Sequence, residues 1–160
     1  MNIFAVAKSP RVSARSLPDK LVVKMPLESA QMLSTSLRCF MSDDVCDTLG
    51  IYKVAFKNHP CTIWARTSRS NYDWLVSHFE TLCDEYTARY GRTHASRRLL
   101  WAFKNCRIFI PKGSMTPFAQ AMPDQYKCDN HIKAYRDYVV NEKHYAKWNF
   151  TMKPVWWEVA

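Results

Sequence analysis

The stretch NHPCTIWAR gathers a histidine, a thiol, an indole and a guanidinium within eight residues. Four kinds of site can use such a set: a metal site, a cysteine nucleophile, a phosphate clamp or a packing cluster. A metal needs three or four ligands, and no matching ligand pair accompanies His59 and Cys61. A cysteine nucleophile needs a base, which His59 could supply, but no cysteine-enzyme signature surrounds Cys61. We therefore expect His59 and Arg66 to face an anion, while Ile63 and Trp64 pack inward.

Glu28 is the second candidate, because it is the only acidic residue between Asp19 and Asp43 of a basic chain. A lone carboxylate among cations can act as a general acid or base, or stabilise a developing positive charge. Lys24 lies four residues before it and Gln31 three residues after it, which places all three on one helix face. The alternative is a simple surface pair between Lys24 and Glu28, worth about 0.3–0.5 kcal/mol. Composition leaves both interpretations open.

The charge distribution favours a polyanionic partner. The 160 residues carry a formal net charge of +9, and no acidic residue occurs from Tyr86 to Pro123. Charge segregated in this way attracts nucleic acid or nucleotide phosphate, although a solvated basic surface without a partner is the alternative. We expect nucleic-acid or phosphate contacts from Lys24, Gln31, His59, Arg66, Asn71, Arg89, Arg97, Arg98, Lys127, Lys133, Arg136, Lys147, Trp156 and Trp157.

Composition also excludes several classes of protein. With only three glycines, the chain has no glycine-rich phosphate loop of the dinucleotide-binding or Walker type. Its six cysteines form no CxxC pair, so neither a zinc site nor a redox site is indicated, and we expect no metal and no cofactor. The amino terminus lacks a long apolar run, which predicts no signal peptide, no membrane span and a cytoplasmic protein with reduced thiols.

The elements that position these residues are predicted to be helices. Apolar spacing predicts a first long helix that starts at Ser16–Asp19 and runs to about Phe40, kinked or restarted at Pro26. The clearest helix starts at a capping box of Ser70 and Asp73 and stops at Gly91. A basic helix at roughly 94–105 and a last helix from about Asn130 to Trp148 follow, with a proline-bearing loop between them that has room for one helical turn. Residues 51–66 are predicted to be an extended, irregular link.

These elements predict an all-α fold, a compact single-domain helical bundle with long irregular loops. The domain is expected to span residues 1–160, with an aromatic and basic arm at about 148–160. The three tryptophans of that arm alternate with lysines and could stack on exposed bases. The arm could equally be tucked over the core.

Three islands of sequence, DKLVVKMPLESAQML, NYDWLVSHFETLCDEYTARYG and KPVWWEVA, resemble the small phage pyrimidine-dimer DNA glycosylase/AP lyase family. The chain resembles more closely an uncharacterised phage-encoded group that shares NHPCTIWAR and AMPDQYK. The family resemblance implies a compact all-α domain whose first long helix begins with an aspartate and carries a catalytic glutamate nine residues later. Asp19 and Glu28 have that spacing. It also implies that Pro154, Trp156 and Trp157 lie near the DNA.

The resemblance further implies a mechanism. In that family the free α-amine of residue 2 attacks C1′ of the damaged nucleotide, a Schiff base forms, and the sugar loses its 3′ phosphate by β-elimination. The target nucleotide or its partner must leave the helical stack. The glutamate assists departure of the base and the proton transfers. Here Asn2 follows Met1, and asparagine usually prevents removal of the initiator, so the corresponding nucleophile would be the amine of Met1.

The leading hypothesis is therefore a base-excision DNA glycosylase/AP lyase with Glu28 as acid/base and an amine of Met1 or Asn2 as nucleophile. A second hypothesis is an enzyme on the same scaffold that processes a nucleotide or a modified base. A third is a non-catalytic phage effector that binds nucleic acid or a host protein in the host cytoplasm.

Overall fold

The structure, a computed structural model, describes residues 1–158, and every regular element in that range is helical. This confirms the predicted all-α fold. No helix in the same range is both long enough and apolar enough to cross a membrane. The α-helices are α1 (Pro10–Arg15), α2 (Asp19–Arg38), α3 (Asp43–Thr48), α4 (Pro60–Thr67), α5 (Arg69–Tyr90), α6 (Leu100–Asn105), α7 (His131–Glu142) and α8 (Val155–Glu158), with short 3-10 turns at Ala95–Leu99, Cys106–Phe109 and Asp124–Tyr126.

Helix α2 is the central element, about 30 Å long at 1.5 Å per residue. It packs against α4 and α5, and α1 packs against α5. The helix buries apolar side chains on several faces, including the fully buried Met25 and Leu33. Pro26 lies inside this helix, which continues from Asp19 to Arg38, so the predicted restart does not occur. A helix this buried is stabilised by packing, which offsets the hydrogen bond that proline removes.

Helix α5 confirms its predicted stop but not its predicted start. Gly91 has φ 65° and ψ 18°, the left-handed conformation of a glycine cap, and its N–H donates to the carbonyl oxygen of Thr87. The N-cap is Ser68, whose hydroxyl accepts from the N–H of Asn71 at 3.2 Å. The predicted capping box of Ser70 and Asp73 is therefore wrong by two residues.

Helix α4 corrects the prediction that residues 51–66 are irregular. The Nδ1 atom of His59 accepts from the N–H of Cys61 at 3.2 Å, and Pro60 occupies the first turn. Proline suits a first turn because its fixed φ is already helical and no N–H is needed there. Trp64 is buried as expected, whereas Ile63 is 43% exposed, because successive helical residues point in different directions. Two short helices of six residues each, α1 and α3, precede and follow α2.

Helix α7 begins at the expected cap, because the side chain of Asn130 accepts from the N–H of Lys133. It ends at Glu142 instead of continuing to Trp148. Residues 143–154 are not helical, and residues 147–149 form hydrogen bonds to the start of α2. The N–H of Asp19 donates to the carbonyl oxygen of Lys147 at 2.9 Å, and the N–H of Asn149 donates to Asp19 Oδ2 at 2.7 Å.

Arg89 lies in the interior beside the same aspartate. Its Nη1 donates to Asp19 Oδ1 at 3.0 Å and to the carbonyl oxygen of Leu17 at 2.9 Å. Its Nη2 donates to the carbonyl oxygen of Arg15 at 3.1 Å and to Glu85 Oε2 at 3.0 Å. The side chains of Arg89 and Asp19 are both almost fully buried. The expectation that Arg89 contacts phosphate is therefore wrong, since its donors hold α1, α2 and α5 together.

Candidate active site

The amino-terminal arm meets α2 at Glu28. Residues 1–6 have no regular secondary structure, and Ile3, Ala5 and Val6 are fully buried, so the arm is anchored in the core. The backbone N–H of Asn2 donates to Glu28 Oε2 at 3.0 Å, and the nitrogen of the Met1 amine lies 3.7 Å from the same oxygen. The carboxylate of Glu28, only 8% exposed, therefore lies beside the amine.

The side chain of Asn2 holds this end of the arm in place. Its Nδ2 donates to the carbonyl oxygen of Ala121 at 2.8 Å, and its Oδ1 accepts from the N–H of Ile3 at 2.8 Å and of Phe4 at 3.3 Å. Phe4 has φ 43°, an unusual conformation for a bulky residue that the surrounding contacts must stabilise. The side chain of Asn2 and the backbone of Ile3 and Phe4 therefore form a local turn at this end of the arm.

Lys24 completes the surroundings of Glu28. Its Nζ lies 3.0 Å from Glu28 Oε1, while the N–H of Asn2 and the amine of Met1 lie beside Oε2. The hydrogen bond to Glu28, followed by the charge of that carboxylate, raises the pKa of Lys24. Lys24 is therefore protonated at neutral pH, which places a positive charge beside the Glu28 carboxylate.

The first turn of α4 packs against residues 1 and 2. The hydroxyl of Thr62 donates to the Sδ atom of Met1 at 3.5 Å. The Met1 side chain is only 2% exposed although the residue as a whole is half-buried, so its accessible surface lies on the main chain. The thiol of Cys61 lies 4.0 Å from Asn2 Oδ1 and 3.9 Å from the Tyr135 hydroxyl. This packing leaves the main-chain end of Met1 as its exposed part.

Cys61 lacks the environment of a nucleophile. Burial raises the pKa of its thiol to about 11, so the thiol is protonated at neutral pH. Within residues 1–158 no group of three His, Cys, Asp or Glu side chains is arranged to hold a metal ion. Of the four kinds of site considered for this stretch, these contacts favour a packing cluster formed by Cys61 and Trp64. His59 is the polar residue at the edge of this cluster.

His59 lies half-buried at the edge of the same cluster. Burial lowers the pKa of its imidazole, and the positive charge of the α-amine lowers it further, against a smaller opposing effect of Glu28. Arg66 was expected to face an anion beside it, and its guanidinium donates to the carbonyl oxygen of Lys57. His59 is electrostatically coupled to Glu28 and to the amine.

A surface of lysines and tyrosines adjoins Glu28, and sequence reasoning missed most of it. Lys20 Nζ lies 5.1 Å from the ring centroid of Tyr145, and Lys143 Nζ lies 4.3 Å from that of Tyr138. Tyr145 and Tyr138 also contribute to the raised pKa of Lys24, so they lie near it. We call Lys20, Lys24, Tyr138, Lys143 and Tyr145 the tyrosine–lysine strip. A sequence signal exists for part of it, since positions 20, 24 and 28 share one face of a helix.

Several expected phosphate contacts already have protein partners. Asn71 is buried and donates to the carbonyl oxygen of Trp64 and to Thr116 Oγ1. The remaining pairs are Arg97 with Asp84, Lys127 with Asp124, Lys133 with Asp137, and Arg98 with the carbonyl oxygen of Gly50. Gln31 is half-buried on α2, and the side chain of Lys147 is exposed. The structure therefore brings Lys24, His59, Met1 and Asn2 to Glu28, and it does not bring the paired residues there.

The aromatic arm packs against α7. The guanidinium of Arg136 lies 5.7 Å from the ring centroid of Trp156, and its Nε donates to the carbonyl oxygen of Val6 at 2.9 Å. The rings of Trp157 and Trp148 are 4.8 Å apart, and both Trp156 and Trp157 are half-buried. Of the two interpretations of this arm, packing over the core is the one these contacts favour. Residues 159 and 160, the end of the predicted arm, lie outside the described residues.

The cluster around Glu28 combines an amine, a carboxylate and a fixed cation on the surface of a basic helical protein. An amine beside a carboxylate can form a carbon–nitrogen bond while the carboxylate accepts or returns protons. A search of curated proteins and a search of solved structures gave no match. The family profile described as pyrimidine dimer DNA glycosylase matches residues 1–98, which include the arm, Glu28 and His59. Because this match covers more than half of the 160 residues, the chain belongs to the pyrimidine dimer DNA glycosylase family.

Proposed function

We propose that this protein breaks the glycosidic bond of a damaged pyrimidine in DNA and then cleaves the strand at the abasic site. We call the first step base release, and in a pyrimidine dimer the detached base stays joined to its neighbour. The observation that carries the proposal is the 3.7 Å approach of the Met1 amine to Glu28 Oε2. Family membership supports a DNA glycosylase, and the paired amine and carboxylate support the combined glycosylase and lyase chemistry.

The proposed reaction begins when the neutral amine attacks C1′ of the target nucleotide. The C1′–N bond to the base breaks with its electron pair on the base, and the new carbon–nitrogen bond develops into a Schiff base as the sugar ring opens. Loss of a proton from C2′ then breaks the C3′–O bond, and the 3′ phosphate leaves with that electron pair. Glu28 is proposed to accept the proton of the amine and to stabilise positive charge at the sugar.

The accessible part of the cluster favours a polymeric substrate. Lys24 is exposed and the main-chain end of Met1 is accessible, whereas the Glu28 side chain beside them is only 11% exposed. Enclosed clefts hold most small-molecule ligands. Two cavities of about 690 and 880 Å³ are formed mainly by the loop before α7, by α7 itself and by α8, and neither is lined by Glu28, Met1 or Asn2. A nucleotide of a duplex can approach the Met1 amine and Lys24 if it leaves the stack.

The tyrosine–lysine strip is proposed to hold the DNA beside Glu28. Its lysines can neutralise phosphates, and Tyr145, which is 38% exposed, offers a ring on which a base can stack. Lys143 Nζ also donates to the Tyr138 hydroxyl at 3.0 Å, and this hydrogen bond holds the ammonium group in place. This proposal gives the strip the role that the family resemblance assigned to Trp156 and Trp157.

Salt dependence of binding tests the strip. Replacing Lys20 or Lys143 with methionine is expected to weaken binding to duplex DNA and to reduce the slope of log affinity against log salt by about 1 each, because each variant loses one phosphate contact. The measurement is fluorescence anisotropy over a salt series. Lys53→Met is the matched control, because Lys53 pairs with Asp47 of α3, beyond the opposite end of α2 from Lys20. An unchanged slope in both strip variants would place the DNA elsewhere.

The reaction itself is tested with a duplex that contains one pyrimidine dimer. We expect base release and strand cleavage from this duplex, and neither product from the same duplex without damage. A second duplex with a preformed abasic site separates the lyase step from the glycosylase step. A protein that binds both duplexes without producing either product would contradict the proposed function.

A further inference from the structure

His59 occupies a defined orientation at the start of α4. Its Nδ1 accepts from the N–H of Cys61, which also fixes the tautomer, because a neutral imidazole that accepts at Nδ1 carries its proton on Nε2. Within residues 1–158 no hydrogen bond engages Nε2. The Nδ1 atom of the ring is therefore fixed by a hydrogen bond within α4, and the Nε2–H group remains as a donor.

Two contacts and one electrostatic coupling place the first turn of α4 beside the proposed reaction centre. Thr62, one turn along α4, contacts Met1, and Cys61 contacts Asn2. His59 itself is electrostatically coupled to both the α-amine and Glu28. The first turn of α4, the end of the arm and the carboxylate therefore form one cluster.

The imidazole of His59 is mainly neutral at pH 7. Burial and the nearby α-amine lower its pKa below the usual value of 6.5. The start of a helix also disfavours a positive charge, because the exposed N–H groups carry partial positive charge. A neutral imidazole is a poor proton donor but a good hydrogen-bond donor, and in other enzymes such a group polarises a carbonyl oxygen.

We propose that His59 is a catalytic residue that donates an Nε2–H hydrogen bond to the O2 oxygen of the departing pyrimidine. The inference rests on the proposed glycosylase function. As the C1′–N bond breaks, its electron pair moves onto the base, and part of the negative charge develops on O2, next to the broken bond. A donor held in a fixed direction stabilises this charge without reorganisation. No proton is transferred from His59 in this step.

This role makes a prediction that a structural role does not. Stabilisation of a leaving base matters only when a base leaves, so the lyase step on a preformed abasic site should not need His59. The test substitution is His59→Asn, because asparagine is as good an N-cap as any residue and can still accept the N–H of Cys61, but it lacks the distal donor.

The experiment measures both steps under single-turnover conditions. His59→Asn is expected to slow base release from dimer-containing duplex by about 10²–10³-fold, the usual effect of losing one such donor. Cleavage of the preformed abasic duplex is expected to stay at the wild-type rate. His94→Asn is the matched control, because the Nδ1 of His94 caps its turn by accepting from the N–H of Ser96 at the same 3.2 Å, and it is expected to change neither rate.

The outcomes separate the inference from the proposed function. Equal losses in both steps would make His59 a structural residue and overturn the inference, and wild-type rates in both steps would overturn it as well. Weaker DNA binding with unchanged single-turnover rates would make His59 a phosphate contact and also overturn it. If the wild-type protein cleaves neither duplex, the proposed function itself fails.

Discussion

Glu28→Gln is expected to lower the rates of both base release and abasic-site cleavage by about 10²–10⁴-fold, the usual contribution of a positioned acid or base. Glutamine has the same shape and can still accept the N–H of Asn2, so the fold and the path of the arm should be retained. It cannot accept the proton of the amine, and it does not carry the negative charge that would stabilise the sugar. Single-turnover rates on the dimer-containing and abasic duplexes provide the measurement.

DNA binding by the same variant identifies the cause. Removing a negative charge from a basic surface should leave duplex binding at least as tight as in the wild type, because phosphate binding is electrostatic. Glu80→Gln is the matched control, since Glu80 pairs with Lys104 on the surface and lies outside the cluster. If Glu28→Gln retains wild-type rates, the carboxylate is not catalytic, and the hypothesis of a non-catalytic DNA-binding effector gains support.

Arg89→Leu is expected to destabilise the fold by about 3–5 kcal/mol, because it leaves the buried carboxylate of Asp19 without its cationic partner. Three carbonyl and carboxylate groups around it would also lose donors. For a chain of this size the loss corresponds to a decrease in Tm of roughly 6–20 °C. Thermal and denaturant unfolding followed by circular dichroism measure it.

The comparison with Asp19 isolates the pair. Asp19→Leu alone should also be strongly destabilising, whereas the double substitution should cost less than the two single losses combined, because neither member of the Arg89–Asp19 pair is left buried without the other. Arg92→Leu is the surface control, since Arg92 is exposed just beyond the end of α5 and such changes usually stay within about 0.5 kcal/mol. A double variant whose loss equals the sum would show that the two residues act independently.

Local sequence patterns predicted the long helices and Glu28. The spacing of apolar residues along α2 and α5 and the left-handed glycine after α5 depend on neighbours in the sequence. Glu28 is also identified by a local pattern, because it is the only acidic residue between Asp19 and Asp43 of a basic chain. The position of Lys24 beside Glu28 was predicted from the four-residue spacing of a helix alone.

Contacts between distant parts of the chain could not be predicted in this way. The bond between the Asn2 N–H and Glu28, and the bonds from residues 147–149 to Asp19, join segments separated by 26 to 130 residues. Arginine is usually exposed, so the sequence suggested that Arg89 lies on the surface. Its neighbours in the sequence do not reveal the carbonyl groups of Arg15 and Leu17 and the carboxylate of Asp19 that surround it. Residues 51–66 are predicted to be irregular, although Pro60 can also occupy the first turn of a helix, and so neither α4 nor the orientation of His59 follows from the sequence pattern.

The most direct test of the account identifies the atom that bonds to the DNA. Borohydride reduction during reaction with the dimer-containing duplex traps a Schiff base, and mass spectrometry of the digested adduct locates it. We expect the modified nitrogen to be the α-amine of the arm beside Glu28, and we expect acetylation of this amine to prevent the adduct. An adduct on the side chain of Lys24, an adduct that survives acetylation, or no adduct at all would contradict it.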